Sequence, residues 1–272
     1  MSSIVLLQRE LRDAVRRFWF VVNAGVFVVS GLLLVLFGQP DAMLLGSHGY
    51  ARSLAGLMHL AMVFVPLMAL IPAAAAIAGE REAGTLDYLL AQPIRRSRIY
   101  LTKWGGTSAA TAVSVAVGYA VVGLIAAIRG FPSGPIVVLL GCTVLLALAF
   151  VSLGLWISSM TGSRTRATSF ALTTWLLLTG LGSLGIMSAF VQWGLPPTLL
   201  QAWSLLNPVE AYRLAGVVLL DPAATTVLGP VGAALFDATG RDGLIGLATV
   251  SLAGWAGAGF LIGRRVFVRD QR

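Results

Sequence analysis

Long, continuously apolar runs constrain this chain more than any other feature of its sequence. A helix needs about 20 apolar residues to cross a hydrocarbon core of about 30 Å. Six runs of about this length occur, at residues 18–37, 54–78, 105–128, 135–158, 167–190 and 243–263. They do not alternate with polar residues, as the strands of a membrane barrel would. Because only 11% of the residues are charged, we predict an all-α integral membrane protein with six transmembrane helices.

Lys and Arg are distributed unevenly over the segments that join these runs. With six spans both termini lie on one side of the membrane. The other side holds four cations, Arg52, Arg129, Arg213 and Arg241, which leaves 15 of the 19 on the side of the termini. The positive-inside rule therefore predicts cytoplasmic termini. The net charge of +8 does not indicate a nucleic-acid ligand, because anionic lipid headgroups account for cations that flank membrane spans.

Two segments lie outside the predicted spans and differ in character. Residues 1–17 place apolar and basic positions on opposite helical faces, which predicts an amphipathic helix in the cytoplasmic interface before a single six-helix transmembrane domain at 18–272. A simple cationic stop before the first span is the alternative. Residues 191–242, on the outer side, are apolar but interrupted by Pro196, Pro197 and Pro208. They predict short helices partly in the outer leaflet, or a re-entrant hairpin.

Met58, His59 and Met62 are candidate metal ligands within the second apolar run. Thioether and imidazole groups are ligands that copper accepts. Met58 and Met62 share one helical face, but His59 is turned by about 100° from Met58. We therefore predict no metal site and no cofactor in this chain, and interpret His59 as a polar residue near the outer interface.

A dense charged insert, residues 79–104, joins the second and third runs and begins GEREAGTLDYLL. We predict a short helix at 85–90, between Gly84 and Pro93, with Thr85 as its cap and Asp87 in its first turn. The cations at the end of the insert follow from the orientation rule. The acids do not, because no acid is needed to orient a membrane protein, so we expect the first half of the insert to meet a soluble partner.

The insert resembles the cytoplasmic coupling element of type-2 ABC exporter permeases. The pattern is matched at Gly79, Glu80, Arg81, Glu82, Gly84, Thr85, Leu86, Leu89, Leu90, Pro93, Arg96 and Lys103. The amphipathic first helix, six spans and outer short helices before the last span also agree with that fold. The resemblance implies a homodimer in a bacterial or archaeal cytoplasmic membrane.

The same resemblance implies that each copy docks a separate ABC ATPase. The docking residues would be Gly79, Glu80, Arg81, Glu82, Gly84, Thr85, Leu86, Asp87, Leu89 and Leu90. The sequence contains no G-x-x-x-x-G-K-[ST] phosphate loop, so ATP and Mg²⁺ are expected in the partner and this chain is not expected to be an enzyme.

A second stretch, LLNPVEAYRLAG at 205–216, resembles the permease subunit of the exporters that mature nitrous-oxide reductase, the Nos family. Asn207, Pro208, Glu210, Tyr212 and Arg213 match it. The resemblance implies that these residues form a gate or contact an outer partner. It also implies a periplasmic β-helical protein on the outer face and a role in assembling a copper site.

Other functions stay open at this level. A type-2 exporter of a drug, lipid or glycan would share the same features, and so would a membrane anchor for an outer protein. An ion-driven transporter is disfavoured, because His59 is the main ionisable residue within the spans. A lipid-modifying enzyme is disfavoured, because Glu80 and Glu82 lie on nearly opposite sides of a helix and do not converge.

Overall fold

The computed structural model describes most of the chain after residue 46. The described residues are 22, 25–26, 28–29, 47–91, 94–128, 130–181, 196–220 and 228–269. They are helical apart from short turns, and no strand occurs among them. The predicted helix at 1–17, nearly all of the first predicted span and the end of the fifth lie outside the described residues. The number of spans therefore stays a prediction.

Within these residues we number eight α-helices in chain order. They are α1 Ser47–Glu82, α2 Thr85–Leu90, α3 Arg96–Ile128, α4 Gly134–Met160, α5 Arg164–Trp175, α6 Pro197–Leu206, α7 Pro208–Leu220 and α8 Gly229–Arg269. A π-helical turn, Leu176–Leu181, continues α5. Gly240 interrupts α8 with φ 70° and ψ 179°, a conformation that favours glycine because it has no Cβ.

Four of these helices are long and apolar enough to cross a membrane. Their apolar lengths are Leu54–Glu82, Arg96–Ile128, Gly134–Met160 and Val231–Arg269. They contain the second, third, fourth and sixth predicted spans. The helices extend beyond the predicted ends because hydropathy detects the hydrocarbon core, whereas a helix continues through the headgroup layer with polar side chains.

Helix α4 lies at the centre of the bundle and contacts α1, α3, α7 and α8. Small residues allow this packing. A Cβ on Gly154 would lie 2.7 Å from the carbonyl oxygen of Leu70 in α1, and one on Gly259 of α8 would lie 3.0 Å from the Cβ of Ser152. Close backbone contact of this kind drives helix association in lipid, where apolar side chains gain little by leaving the bilayer.

Helix α1 differs from α4 because it contains two internal prolines, Pro66 and Pro72. Each proline lacks an N–H group and deprives one carbonyl of its helical partner. Neighbouring helices bond to the backbone of α1: Trp175 Nε1 donates to the Val63 carbonyl at 3.1 Å. The N–H groups of Ile77 and Ala78 donate to Ser158 Oγ of α4, at 3.0 and 2.9 Å.

Candidate functional site

Three consecutive charged residues at the end of α1 contact three different helices. Glu80 Oε1 lies 2.6 Å from Lys103 Nζ of α3. Arg81 Nη1 donates to the Thr161 carbonyl, just past α4, at 2.7 Å. Glu82 Oε2 accepts the N–H of Arg164, the first residue of α5, at 2.9 Å. We call Glu80, Arg81 and Glu82 the charged collar.

Helix geometry explains why the collar reaches in three directions. Successive side chains turn by about 100°, so three in a row cover about 200° of the helix circumference. The last carbonyls of a helix lack partners and accept well from an arginine. The first N–H groups of a helix carry partial positive charge and favour a carboxylate. Arg81 and Glu82 therefore bind the two helix ends on either side of the turn between α4 and α5.

Lys103 of α3 is the partner of Glu80 in the collar, a contact that the orientation rule does not predict. Its side chain is 4% exposed, and that of Glu80 is 27% exposed. A buried ammonium is costly without a paired anion, so this pair fastens α3 to α1. The available signal was its position between the apolar residues Ile99 to Leu101 and the apolar run at 105–128, where a cation needs a partner.

Helix α2 begins directly after the collar. Gly84 is its N-cap residue, with φ 69° and ψ 4°. The predicted cap at Thr85 is wrong: no side-chain capping bond forms, and Thr85 Oγ1 donates back to the Glu80 carbonyl at 3.2 Å. A hydroxyl in this position bonds to the preceding turn because the left-handed glycine reverses the chain. Asp87 lies in the first turn, as predicted.

The two faces of α2 differ in polarity. Leu86 is buried, and Leu89 and Leu90 pack against the core. Asp87 is exposed, and the Tyr88 side chain is 79% exposed. The apolar face thus holds α2 against the bundle, while a carboxylate and an aromatic ring point outward.

A cavity of about 910 Å³ lies beside the collar, between α1, α2 and α5. One part of its wall is apolar and is formed by Ile71, Pro72, Ala75 and Ala76. The other part is polar and includes Glu80, Glu82, Thr85, Arg164 and Thr168. The cavity can therefore receive a group with both an apolar and a polar part.

The second candidate segment is the outer motif, which we define as Asn207, Pro208, Glu210, Tyr212 and Arg213. It begins where α6 ends and α7 starts. Asn207 is 1% exposed; its Nδ2 donates to the Leu178 carbonyl at 2.8 Å, and its Oδ1 accepts the Val209 N–H at 2.9 Å. It therefore caps α7 and ties this helix to the π-helical turn after α5.

Other members of the outer motif also bond within the chain. Pro208 occupies the first position of α7, where its missing N–H costs nothing. Glu210 Oε2 lies 2.8 Å from Arg213 Nε, and their side chains are 8% and 24% exposed. At the end of α6 the carbonyls of Leu205 and Leu206 accept from Ser251 and Trp255 of α8. These bonds satisfy backbone groups that apolar surroundings would leave unpaired.

Tyr212 belongs to a buried group of three hydroxyls. Its oxygen lies 2.9 Å from Thr143 Oγ1 of α4, and the Tyr119 hydroxyl of α3 lies 2.8 Å from the same atom. Thr143 Oγ1 donates its single proton to the Leu139 carbonyl at 2.8 Å. Both tyrosines must therefore donate to Thr143. We call Tyr119, Thr143 and Tyr212 the hydroxyl cluster.

Comparison with known proteins agrees with this geometry. The chain matches the model of a family described as ABC-2 family transporter protein over residues 4–221. It belongs to the ABC-2 transporter family. The matched range includes both the charged collar and the outer motif, and the predicted resemblance to type-2 ABC permeases is confirmed.

Curated relatives show which members of this family the chain is similar to. The chain is 30% identical over 273 residues to "Probable ABC transporter permease protein NosY" of Pseudomonas aeruginosa, covering 97% of each protein. It is 30% identical over 217 residues to a protein of the same name from Stutzerimonas stutzeri, covering 77% of this chain and 79% of that one. The chain is thus similar to a permease subunit along nearly its whole length, and its family is not an enzyme family.

The ABC-2 permease separates the three candidate metal ligands. Met58 is buried and lies against Gly216 of α7. His59 is exposed, and its Nδ1 donates to the Ala55 carbonyl at 2.8 Å. Met62 is half-buried against the core. In the described part of the chain, no group of three or more His, Cys, Asp or Glu residues is placed to hold a metal ion.

Proposed function

We propose that this ABC-2 permease is the membrane subunit through which a cytoplasmic ATPase drives maturation of the copper site of nitrous-oxide reductase. Two copies form a homodimer in a bacterial or archaeal cytoplasmic membrane, with both termini of each copy cytoplasmic. The ATPase binds ATP and Mg²⁺. The outer motif is largely buried, so the exposed surface of the segment that contains it, residues 196–220, meets a periplasmic β-helical protein.

The arrangement of α2 is the observation that carries this proposal. Its apolar face is seated in the bundle, and Asp87 and Tyr88 are exposed. The collar at its base bonds to α3, α5 and the end of α4. Pressure on α2 would therefore act on four helices together, which is what a subunit that receives mechanical work needs.

The collar contacts refine the predicted docking segment, Gly79 to Leu90. Glu80, Arg81 and Glu82 bond to this chain's own helices. We therefore assign them to holding α2 in place and assign the direct ATPase contact to Asp87 and Tyr88. The carboxylate complements a basic groove, and the ring supplies apolar area at low entropic cost.

Co-purification of the ATPase with the tagged permease from membranes tests this assignment. The amount of ATPase that co-purifies with the variant D87R/Y88A should be at least about tenfold lower than with the wild type. Loss of one interface anchor costs about 1.4 kcal/mol or more. The melting temperature of the variant should equal that of the wild type, because neither side chain is buried. Arg265→Ala, an exposed change in α8, is the control. Equal ATPase retention in both variants would contradict docking at α2.

The cavity beside the collar favours a second function, export of an amphiphilic drug, lipid or glycan. Its wall combines an apolar surface with carboxylates and an arginine. A deletion strain separates the two functions. Loss of copper from nitrous-oxide reductase, restored by the wild-type gene, supports maturation. A fully loaded reductase together with loss of export of an amphiphile would replace maturation by transport.

A further inference from the structure

We infer that Thr143 and Tyr212 are positioning residues that couple the outer segment, α6 and α7, to the charged collar through α4. This inference rests on the proposed function and deepens it. It names the bond by which a displacement at α2 reaches the outer side of the membrane. Nothing has to cross the bundle for this transmission to occur.

Helix α4 is held by a directional polar contact at its end and by a second one in its first half. At one end the Thr161 carbonyl accepts from Arg81 of the collar. In the first half of the helix Thr143 accepts from Tyr212 of α7. Eighteen residues separate the two threonines, which corresponds to about 27 Å of helix and so to most of a hydrocarbon core of about 30 Å. A shift of α4 at the collar therefore appears at α7.

Helix α4 is better suited to this role than α1, which also reaches from the collar to α7. Pro66 and Pro72 interrupt the backbone hydrogen bonds of α1, and such positions are where helices bend. The contact of α1 with α7 includes Met58 against Gly216, and a thioether side chain adapts its shape easily. Proline occurs in α4 only at its first turn.

The hydroxyl cluster allows little slip between α4 and α7. Tyr212 and Thr143 are both 0% exposed, and every proton and acceptor position of the Thr143 hydroxyl is used. A movement of α7 relative to α4 would break the hydrogen bond between Tyr212 and Thr143 in apolar surroundings. That state is unfavourable, so the two helices move together.

Tyr119 offers a matched control within the same cluster. Tyr119→Phe removes a hydrogen bond to the same Thr143 oxygen, but from α3, and leaves α4 bonded to α7. Tyr212→Phe removes the bond between α4 and α7. If the hydroxyl cluster only stabilises the fold, both substitutions should have similar effects. If it transmits movement from α4 to α7, only Tyr212→Phe should weaken the response of the outer segment.

Hydrogen exchange measured on the full permease with its ATPase in nanodiscs tests the inference. Exchange at 85–91 and 196–220 is compared between the nucleotide-free complex and the complex trapped with ATP and vanadate. In the wild type, hydrogen exchange should change in both segments when the complex is trapped. In Tyr212→Phe and Thr143→Val the response at 85–91 should persist, while that at 196–220 falls at least about fivefold, the low end of coupling between protein sites. Tyr119→Phe and Thr143→Ser should respond as the wild type.

Three outcomes would overturn the inference. The first is a wild-type response at 196–220 in Tyr212→Phe, and the second is an equal loss in Tyr212→Phe and Tyr119→Phe. The third is a wild-type protein that responds at 85–91 but not at 196–220, which leaves the proposed function intact. A wild-type protein without any response at 85–91 contradicts the proposed function itself, and this inference with it.

Discussion

The charged collar and the outer motif both interrupt an apolar chain with polar residues, but they differ in how many of their bonds are local. Arg81 of the collar contacts Thr161, and Glu82 contacts Arg164, about 80 positions away in sequence. In the outer motif Asn207 bonds to Val209, and Glu210 bonds to Arg213 in the next turn. The collar thus joins distant helices, whereas the outer motif combines bonds within its own segment with bonds to distant residues, made by Asn207 and Tyr212.

This difference indicates what each region does when a neighbour presses on it. A residue that bonds across the bundle passes a displacement to other helices, since the helices are close-packed and do not compress. A segment that bonds within itself moves as a unit and needs only a few attachments. For the outer segment the attachments include Asn207 to Leu178 and Tyr212 to Thr143.

The largest effect on stability is expected at the collar, for Lys103→Met. The change removes the buried ammonium and leaves the Glu80 carboxylate without its partner. We expect a loss of about 2 to 3 kcal/mol, less than for a fully buried pair because Glu80 keeps 27% exposure. Thermal unfolding in detergent measures it. The exchanged pair E80K/K103E should recover part of the loss; if it is no better than K103M alone, the ion pair does not fasten α3 to α1.

A smaller loss, about 2 kcal/mol, is expected in the outer motif for Asn207→Ala. Two hydrogen bonds disappear, and the Leu178 carbonyl and the Val209 N–H lose their partner. Because neither bond involves the collar, the loss should be confined to the outer segment and the π-helical turn. Hydrogen exchange should rise at 196–220 and stay unchanged at 79–91. A rise at both segments would mean that the outer motif, like the collar, braces the whole bundle.

The sequence predicted the features of this structure that depend on local chemistry. Apolar runs located four helices long enough to span a membrane, and the charged insert does contain a short helix at Thr85–Leu90. The ends of helices were less predictable. GERE was treated as part of a connecting element, yet α1 continues through Glu82, since charged residues are compatible with a helix that emerges from the membrane.

The contacts between distant helices could not be predicted from one sequence. The sequence around each residue does not predict that Arg81 contacts Thr161 or that Tyr212 contacts Thr143, because each contact depends on how the helices are arranged around α4. One usable signal was the spacing of Gly154 and Ser158, small residues four apart that mark a close helix contact in lipid. Thr143 gave a second, since a hydroxyl within an apolar helix often bonds to a neighbour.

A pair of matched glycine substitutions compares how rigid the helix contacts are near the collar, at Gly154, and in the outer segment, at Gly216. In Gly154→Ala the new methyl group meets the backbone of α1 at Leu70, whereas in Gly216→Ala it meets the flexible side chain of Met58. Overpacking against backbone should cost about 2 kcal/mol, and against a methionine less than about 1 kcal/mol. Melting temperatures of the two variants measure the difference. Equal losses would show that the outer contact is as unyielding as the one near the collar.

The smallest effect on stability concerns the start of α2 and tests whether Gly84 or Thr85 determines it. No atom lies within 4 Å of a Cβ placed on Gly84, so Gly84→Ala has only a backbone cost, about 1 kcal/mol at φ 69°. Gly84→Asn should cost less, because asparagine tolerates the left-handed region. Thr85→Val removes one exposed hydrogen bond and should change stability by less than about 0.5 kcal/mol.

ATPase retention should fall in Gly84→Ala, recover in Gly84→Asn and stay normal in Thr85→Val, because the glycine turn directs α2 outward. The reverse order would restore Thr85 as the residue that sets the docking helix.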